Sequence, residues 1–122
     1  MKKVGEFTEK IINQLQLNIP IGTPILIGER NEVHIKSRHP YEYDKYYDRI
    51  PDIIAKPDYI GISPKDGSIQ FVKEFCINSE YIRIAIKITK NTKCYVKTLH
   101  LLSTCNAENY IKKGTLASVK FL

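Results

Sequence analysis

Two histidines and one arginine lie within six residues of each other, in the segment His34-Ile35-Lys36-Ser37-Arg38-His39. Histidine changes charge near neutral pH, and arginine binds phosphate through a planar fork of N–H donors. These residue types suit acid–base cleavage of a phosphodiester, in which His34 and His39 transfer protons and Arg38 stabilises the developing charge. The alternative is structural, with one histidine packing or capping a helix and the other solvated on its surface.

The third histidine, His100, falls in a segment that reads as a strand over residues 94–102. Side chains alternate between the two faces of a strand, so Val96, Thr98, His100 and Leu102 are expected on one face. Leu99 and Leu101 would then face the core. Lys87 on the neighbouring strand would join Thr98 and His100 in a polar cluster on the open face. The alternative is a solvated strand face without a role.

Helices are expected to position the first group of residues. One helix is predicted over residues 3–17, because apolar residues recur there at helical spacing: Val4, Phe7, Ile11 and Leu15. Asn31 is predicted as the N-cap of the helix that carries the histidines, and Pro40 ends it. Two short helices should follow, over residues 41–48 and 50–56.

The second half of the chain alternates between apolar and polar residues, as antiparallel strands do. Strands are predicted over residues 59–63, 68–76, 81–88 and 94–102, followed by a short helix over 107–113. The expected fold is α+β, with N-terminal helices packed on one face of a four-stranded antiparallel sheet. We expect a single domain over residues 1–122, with an N-terminal helix and lead-in over 1–24 and a core over 25–114.

Composition excludes several classes of protein. The 122 residues are 43% hydrophobic and 26% charged, which argues against disorder, and no apolar run reaches transmembrane length. No apolar run follows the N-terminal lysines, so no signal peptide is expected. The three cysteines, Cys76, Cys94 and Cys105, fit neither a disulfide framework nor a C-x-x-C metal site, which favours a reducing cytoplasm. No metal or cofactor is expected, because the sequence has neither zinc ligands at a familiar spacing nor a glycine-rich phosphate-binding motif.

The positive charge is concentrated at one end of the chain. Residues 1–82 carry eleven Lys/Arg and twelve Asp/Glu, whereas residues 83–122 carry eight Lys/Arg and one acidic residue, a net charge of +7. Such a basic region is typical of a protein that binds a polyanion, although a merely soluble basic surface is the alternative. The tyrosine-rich segment 41–48 is interpreted as an amphipathic helix with a hydrated tyrosine face; base stacking or protein docking are alternatives.

Two short motifs carry a resemblance to a known family. Val33-His34-Ile35-Lys36-Ser37-Arg38-His39-Pro40, followed by Lys56-Pro57-Asp58-Tyr59-Ile60, resembles a phage-associated nuclease family of the barnase–EndoU–colicin–RelE superfamily. The family pattern reads roughly H-I-x-x-R-H-P, a helical stretch, then P-D-Y-I. Weaker similarity continues through the strands at residues 69–74, 84–87 and 97–99, so that the resemblance covers about residues 25–114.

The resemblance implies a metal-independent ribonuclease that uses the ribose 2′-hydroxyl as nucleophile and leaves a 2′,3′-cyclic phosphate. It implies catalytic roles for five residues: His34, Arg38, His39, Lys87 and Thr98. It also makes Arg83, Lys97 and His100 candidate substrate contacts, although His100 departs from the apolar or aromatic residue expected there. A tRNA loop is a candidate target.

The biological setting implied is that of a toxin or mobile-element effector, neutralised by a cognate immunity or antitoxin protein. It would act in the cytoplasm, or be delivered into a target cell's cytoplasm, and no membrane partner is expected. The alternative function is a non-catalytic module on the same fold that binds RNA or a protein.

Overall fold

The computed structural model describes residues 1–119 and has an α+β fold built around one mixed sheet. Lys120, one of the eight basic residues counted above, lies outside the described residues. The elements in chain order are β1 (Lys2–Glu6), α1 (Glu9–Leu15), β2 (Pro24–Ile27), α2 (Glu29–Arg38), α3 (Pro40–Tyr46), a 3-10 helix (Tyr47–Arg49), α4 (Ile50–Ala55), β3 (Tyr59–Ile62), β4 (Ile69–Phe75), β5 (Glu80–Ile88), β6 (Cys94–Leu102), α5 (Thr104–Lys113) and β7 (Leu116–Ser118).

The predicted four-stranded sheet is wrong in its size. The four predicted strands, β3 to β6, are antiparallel neighbours as expected, but within residues 1–119 the sheet has seven strands in the order β1-β2-β6-β5-β4-β3-β7. β2 pairs with β6 in parallel, which makes the sheet mixed. The additional strands are short and carry little alternation, so periodicity alone does not distinguish them from loops.

The predicted helix over residues 3–17 is also wrong in its first half. Val4 is buried from strand β1, and Phe7 is buried just after it, so their helical spacing is a coincidence. Thr8 is the N-cap of α1, because its side chain accepts the Ile11 N–H and its backbone is extended. Gly5 lets helix α4 approach β1: a Cβ there would lie 2.5 Å from Ile54 Cγ2.

Helix α2 begins at Glu29, with Gly28 rather than Asn31 as its N-cap. Asn31 lies three residues into the helix, where its Oδ1 accepts the Gly28 backbone N–H at 3.1 Å. This bond satisfies one of the backbone donors that a helix start leaves free. Helix α2 ends at Arg38 and Pro40 begins α3, as the rigid φ angle of proline favours.

A β-bulge at Lys97 alters which face β6 presents. Ala85 lies opposite Thr98 and the next residue of β5, Ile86, lies opposite Val96, so Lys97 is the extra residue. Thr98 and His100 keep the face predicted for them. The expected face of Val96 is wrong, because the bulge turns it into the core and leaves Tyr95 on the same face as Thr98.

The sheet is covered on both faces. The larger hydrophobic core lies between one face and the N-terminal helices, and includes the β5 residues Ile82, Ile84 and Ile86, with Ile88 packed partly buried against it. Helix α5 packs on the opposite face over a second, smaller core: Val72, Leu102, Ala107 and Leu116. Helix α5 therefore covers part of that face. No helix within residues 1–119 is long and apolar enough to cross a bilayer.

Candidate active site

Strands β5 and β6 bring an arginine and a histidine together at the centre of the sheet. Arg83 and His100 face each other directly in the register of the two strands. The Arg83 Nε–H donates to His100 Nε2 at 3.1 Å, and Arg83 Nη2 also contacts this nitrogen. Arg83 Nη1 donates to the Oε1 atom of buried Gln70, 3.0 Å away on β4. The guanidinium is thus fixed from two strands.

The corner between α2 and α3 adds a second imidazole. The rings of His39 and His100 are stacked, with centroids 5.4 Å apart and an interplanar angle of 26°. Strand β2 pairs with only Cys94 and Tyr95 of β6, so the α2–α3 corner can lie against the remainder of that strand. His39 reaches His100 because this corner occupies the place where another strand would otherwise lie.

Glu42 holds the corner against the sheet. Its Oε2 atom accepts the Leu101 backbone N–H at 2.9 Å and lies 3.6 Å from His39 Nδ1. Only 12% of the Glu42 side chain is exposed, whereas His39 keeps 31% of its side chain accessible. The carboxylate therefore orients the His39 ring and leaves its other nitrogen available, an arrangement that suits proton transfer.

Arg83, His100 and Gln70 line a cavity of about 230 Å³ on the α5 side of the sheet. His39 is not among the lining residues and adjoins the cavity through its ring contact with His100. The floor is formed by strand residues of β4, β5 and β6, and the walls by the β3–β4 turn and by α5, which contributes Tyr110. Two buried polar atoms on the floor, Thr98 Oγ1 and His100 Nδ1, have no hydrogen-bond partner within residues 1–119. Buried polar atoms are rarely left unpaired, so these two mark a place where a ligand could bond.

The environment of His100 favours its neutral form. Burial, together with the positive charge of Arg83 and the nearby His39, lowers the pKa of His100 to about 4, and Glu42 opposes this only weakly. Since Nε2 accepts from Arg83, the single proton of the neutral ring belongs on Nδ1. Burial also lowers the pKa of Arg83, while Tyr110 raises it, and a guanidinium stays charged at neutral pH in any case.

The structure separates the histidines that the sequence places together. His34 and Arg38 share one face of α2, as their spacing predicts, but this face is exposed and forms a different hollow from the one that contains His100. Of the three helical candidates, His39 is the one whose ring contacts His100 on the sheet. The pair of imidazoles in contact is His39 and His100.

The predicted sheet candidates divide in the same way. The cavity is lined by four of them: Arg83, Lys97, Thr98 and His100. Exposed Lys87 lies two residues beyond Ala85 on β5, opposite Tyr95, and lines another hollow. Lys97 lies at the cavity rim, where its Nζ pairs with Asp66 Oδ2 at 2.6 Å. This lysine and the Ser68 backbone N–H hold the pKa of Asp66 well below its usual range.

The tyrosine-rich helix has a structural function. The hydroxyls of Tyr41 and Tyr46 donate to the Glu80 carboxylate, and that of Tyr47 donates to Glu32. Tyr46 is buried and Tyr41 is exposed, so the tyrosine face that the sequence predicts is hydrated only in part. Because the hydroxyls bond to carboxylates, they connect α3 to β5 and the 3-10 helix to α2.

Three residues around Arg83, His39 and His100 were not predicted from the sequence: Glu42, Gln70 and Tyr110. Glu42 could have been found from its spacing, since it follows His39 by three residues, one turn into a helix. Gln70 is a polar residue within an otherwise apolar strand. Nothing in the sequence points to Tyr110, because its place depends on how α5 packs on the sheet.

Neither the cavity nor any other part of residues 1–119 brings together three or more His, Cys, Asp or Glu side chains that could hold a metal ion. The polar groups that converge in the cavity are instead imidazole, guanidinium, amide and hydroxyl groups. Such groups bind an anion and move protons.

A comparison with protein families identifies the chain. The model of a family described as phage-Barnase-EndoU-ColicinE5/D-RelE like nuclease3 matches residues 2–109, which includes β1 and α1 as well as the segment that carries the resemblance. Neither the curated proteins nor the solved structures give a significant match. The chain therefore belongs to this phage-associated nuclease family, and the resemblance noted in its sequence is confirmed.

Proposed function

We propose that this nuclease is a metal-independent endoribonuclease and that its active site is the cavity lined by Arg83 and His100, together with His39, which stacks on His100. The observation that carries the proposal is the contact between the two imidazoles beside a fixed guanidinium. Two imidazoles can provide one base and one acid, and a guanidinium can bind the phosphate beside them. The ribose 2′-hydroxyl supplies the nucleophile, so the reaction requires RNA.

Arg83 binds the scissile phosphate in this mechanism. In the free protein its N–H groups donate to His100 Nε2 and to Gln70. A phosphate that takes over the donor now directed at His100 would free the Nε2 lone pair at the moment of binding. The Thr98 hydroxyl, which has no partner within residues 1–119, would donate to a phosphate oxygen.

His100 acts as the base and His39 as the acid. A lowered pKa keeps His100 neutral and able to accept a proton. His39 faces the Glu42 carboxylate, which suits a protonated ring. His100 takes the proton of the 2′-hydroxyl as O2′ bonds to phosphorus, and His39 protonates O5′ as the P–O5′ bond breaks. The products are a 2′,3′-cyclic phosphate and a 5′-hydroxyl.

The test is cleavage of RNA by the purified protein in EDTA, with the new ends identified. We expect 2′,3′-cyclic phosphate and 5′-hydroxyl ends, with rates about 10²–10⁴-fold lower in His39→Ala and His100→Ala. RNA whose cleavable position carries a 2′-deoxyribose should remain intact. Cleavage of that position, or a requirement for added metal, would overturn the proposal.

A modified leaving group separates the acid from the base. Replacement of O5′ by sulfur at one linkage makes a leaving group that needs little protonation. We expect this substrate to restore most of the activity of His39→Ala and little of that of His100→Ala. The reverse pattern would exchange the two roles and contradict the assignment made here.

A further inference from the structure

A second hollow adjoins the proposed active site on the same face of β5 and β6. Its volume is about 610 Å³, and it lies between these strands and the first turn of α2. Three cationic side chains and one aromatic ring line it: Arg30, Lys87, Lys97 and Tyr95. We call this hollow the Lys87 groove.

The groove and the cavity of His100 share a wall. Lys97 lines both of them. Ala85 and Lys87 are two residues apart on β5, so they lie on the same face, and their partners on β6 are Thr98 and Tyr95. The pair with Thr98 belongs to the cavity and the pair with Tyr95 to the groove. The two sites are therefore separated by about 7 Å along the strand.

Two of the three cations of the groove, Lys87 and Arg30, are available for a ligand, whereas Lys97 pairs with Asp66. Within residues 1–119, Lys87 and Arg30 form neither an ion pair nor a side-chain hydrogen bond. Glu29 is the acidic residue in the wall, so cationic side chains outnumber it. Tyr95 is half-buried at the foot of this group, directly opposite Lys87. An aromatic ring beside unpaired cations suits a ligand with both bases and phosphates.

We propose that the Lys87 groove binds the nucleotide of single-stranded RNA next to the scissile phosphate, an inference that rests on the proposed function. Tyr95 stacks on the base, while Lys87 and Arg30 contact the flanking phosphate. The strand is single because a base within a duplex is already stacked on its neighbours and cannot turn onto Tyr95. The groove thereby extends the substrate from one linkage to an oligonucleotide.

The experiment measures affinity for 2′-O-methyl RNA, which the proposed reaction cannot cleave, by fluorescence anisotropy. A labelled hexanucleotide and a dinucleotide are compared at several salt concentrations. We expect Tyr95→Ala to weaken hexanucleotide binding about tenfold, and Tyr95→Phe to restore it because a phenyl ring still stacks. Lys87→Ala should lower the slope of log Kd against log salt by about one.

The matched control is Lys93→Ala, on the same hairpin but in the wall of a different hollow. It should leave the affinity ratio of hexanucleotide to dinucleotide unchanged, whereas Lys87→Ala and Tyr95→Ala should both reduce it. An equal loss in Lys93→Ala would mean diffuse charge attraction and would overturn the groove. Anisotropy measures binding without turnover, so the two proposals can fail separately. If the variants change the affinity ratio as expected but the wild-type protein does not cleave RNA, only the nuclease proposal is overturned. If the wild-type protein cleaves RNA but Lys87→Ala and Tyr95→Ala leave the ratio unchanged, only the proposed role of the groove is overturned.

Discussion

His34 and His39 are five residues apart in the sequence, yet they lie in opposite physical environments. His34 is exposed on the outer face of α2, beside Arg38. His39 lies at the α2–α3 corner, stacked on His100 and facing Glu42. Both regions hold histidine next to arginine, so the residue types do not distinguish them. The contacts that fix the side chains do.

The comparison shows what positions a reactive group. The exposed face of α2 is covered by solvent, which leaves its side chains free to move and screens their charges. At the corner, a carboxylate, a second imidazole and a sheet edge fix the His39 ring. Catalysis depends on holding groups in reactive geometry, and in the proposed mechanism the corner would hold His39 in place before substrate binds.

The largest expected effect is the difference between two conservative arginine substitutions. Arg83→Lys should lower the rate of RNA cleavage about 10²–10³-fold, because an ammonium lacks the planar fork that can bond phosphate while it also bonds Gln70. Arg38→Lys should stay within about twofold of wild type, since it changes an exposed side chain. Equal losses in the two variants would contradict the separation of the two regions. Circular dichroism of both variants controls for misfolding.

A pH titration of stability sharpens the comparison at His100, which Arg83, His39 and Glu42 face. Its pKa is about 4 in the folded protein, against 6.5 for an unperturbed histidine, so between these values only the unfolded chain binds the proton. The free energy of unfolding is therefore highest above pH 6.5, where His100 is neutral in both states, and it falls by at most about 3 kcal/mol as the pH falls towards 4. Urea unfolding from about pH 4 to pH 7 measures it.

The control for this titration is the exposed histidine. His100→Gln should flatten the dependence of the urea midpoint on pH, whereas His34→Gln should leave the wild-type dependence in place. A flattening in His34→Gln of similar size would mean that the pH dependence arises outside the cluster. The two variants also differ in the expected rate of RNA cleavage, which only His100→Gln should lower.

The sequence predicted those features of the fold that depend on local periodicity. The strict alternation of Ile82, Ile84, Ile86 and Ile88 identifies β5 and the face it buries, and the prolines mark the helix boundaries at Pro40 and Pro51. Strand β1 was not predicted, because Val4 and Phe7 happen to match the spacing of the helix that follows. In that segment a tertiary pairing with β2 outweighs the local pattern.

The site was predicted only in part, for a physical reason. Thr98, His100 and Arg83 share one sheet face, which alternation can predict, and each lines the cavity. The contact between His39 and His100 depends on how the α2–α3 corner packs against β6, a packing that leaves no period in the sequence. The same is true of Lys87, which periodicity assigns to the face of Thr98 but which lies in the neighbouring hollow.

Glu42 tests whether the corner fixes His39 through charge or through the backbone alone. Glu42→Gln keeps an oxygen that can accept the Leu101 N–H and removes the negative charge beside His39 Nδ1. If His39 is the acid, kcat should fall about tenfold, and the substrate with sulfur in place of O5′, which needs little protonation, should recover most of that loss. A purely structural role would lower stability and leave the loss in kcat in place with that substrate. Glu32→Gln, which changes a carboxylate elsewhere on the helices, is the control.

The smallest expected effect concerns the cavity rim, where Lys97 pairs with Asp66. Both side chains are about half exposed, so Asp66→Asn should change the free energy of unfolding by less than about 1 kcal/mol. The same substitution removes a negative charge from the rim and releases Lys97, so affinity for uncleavable RNA should rise about two- to threefold at low salt.

Asp52→Asn, at an exposed pair on α4, provides the matched control and should leave RNA affinity unchanged. A rise of equal size in both variants would mean that RNA responds to net charge, whereas a rise confined to Asp66→Asn would locate the bound strand at the rim shared by the cavity and the Lys87 groove.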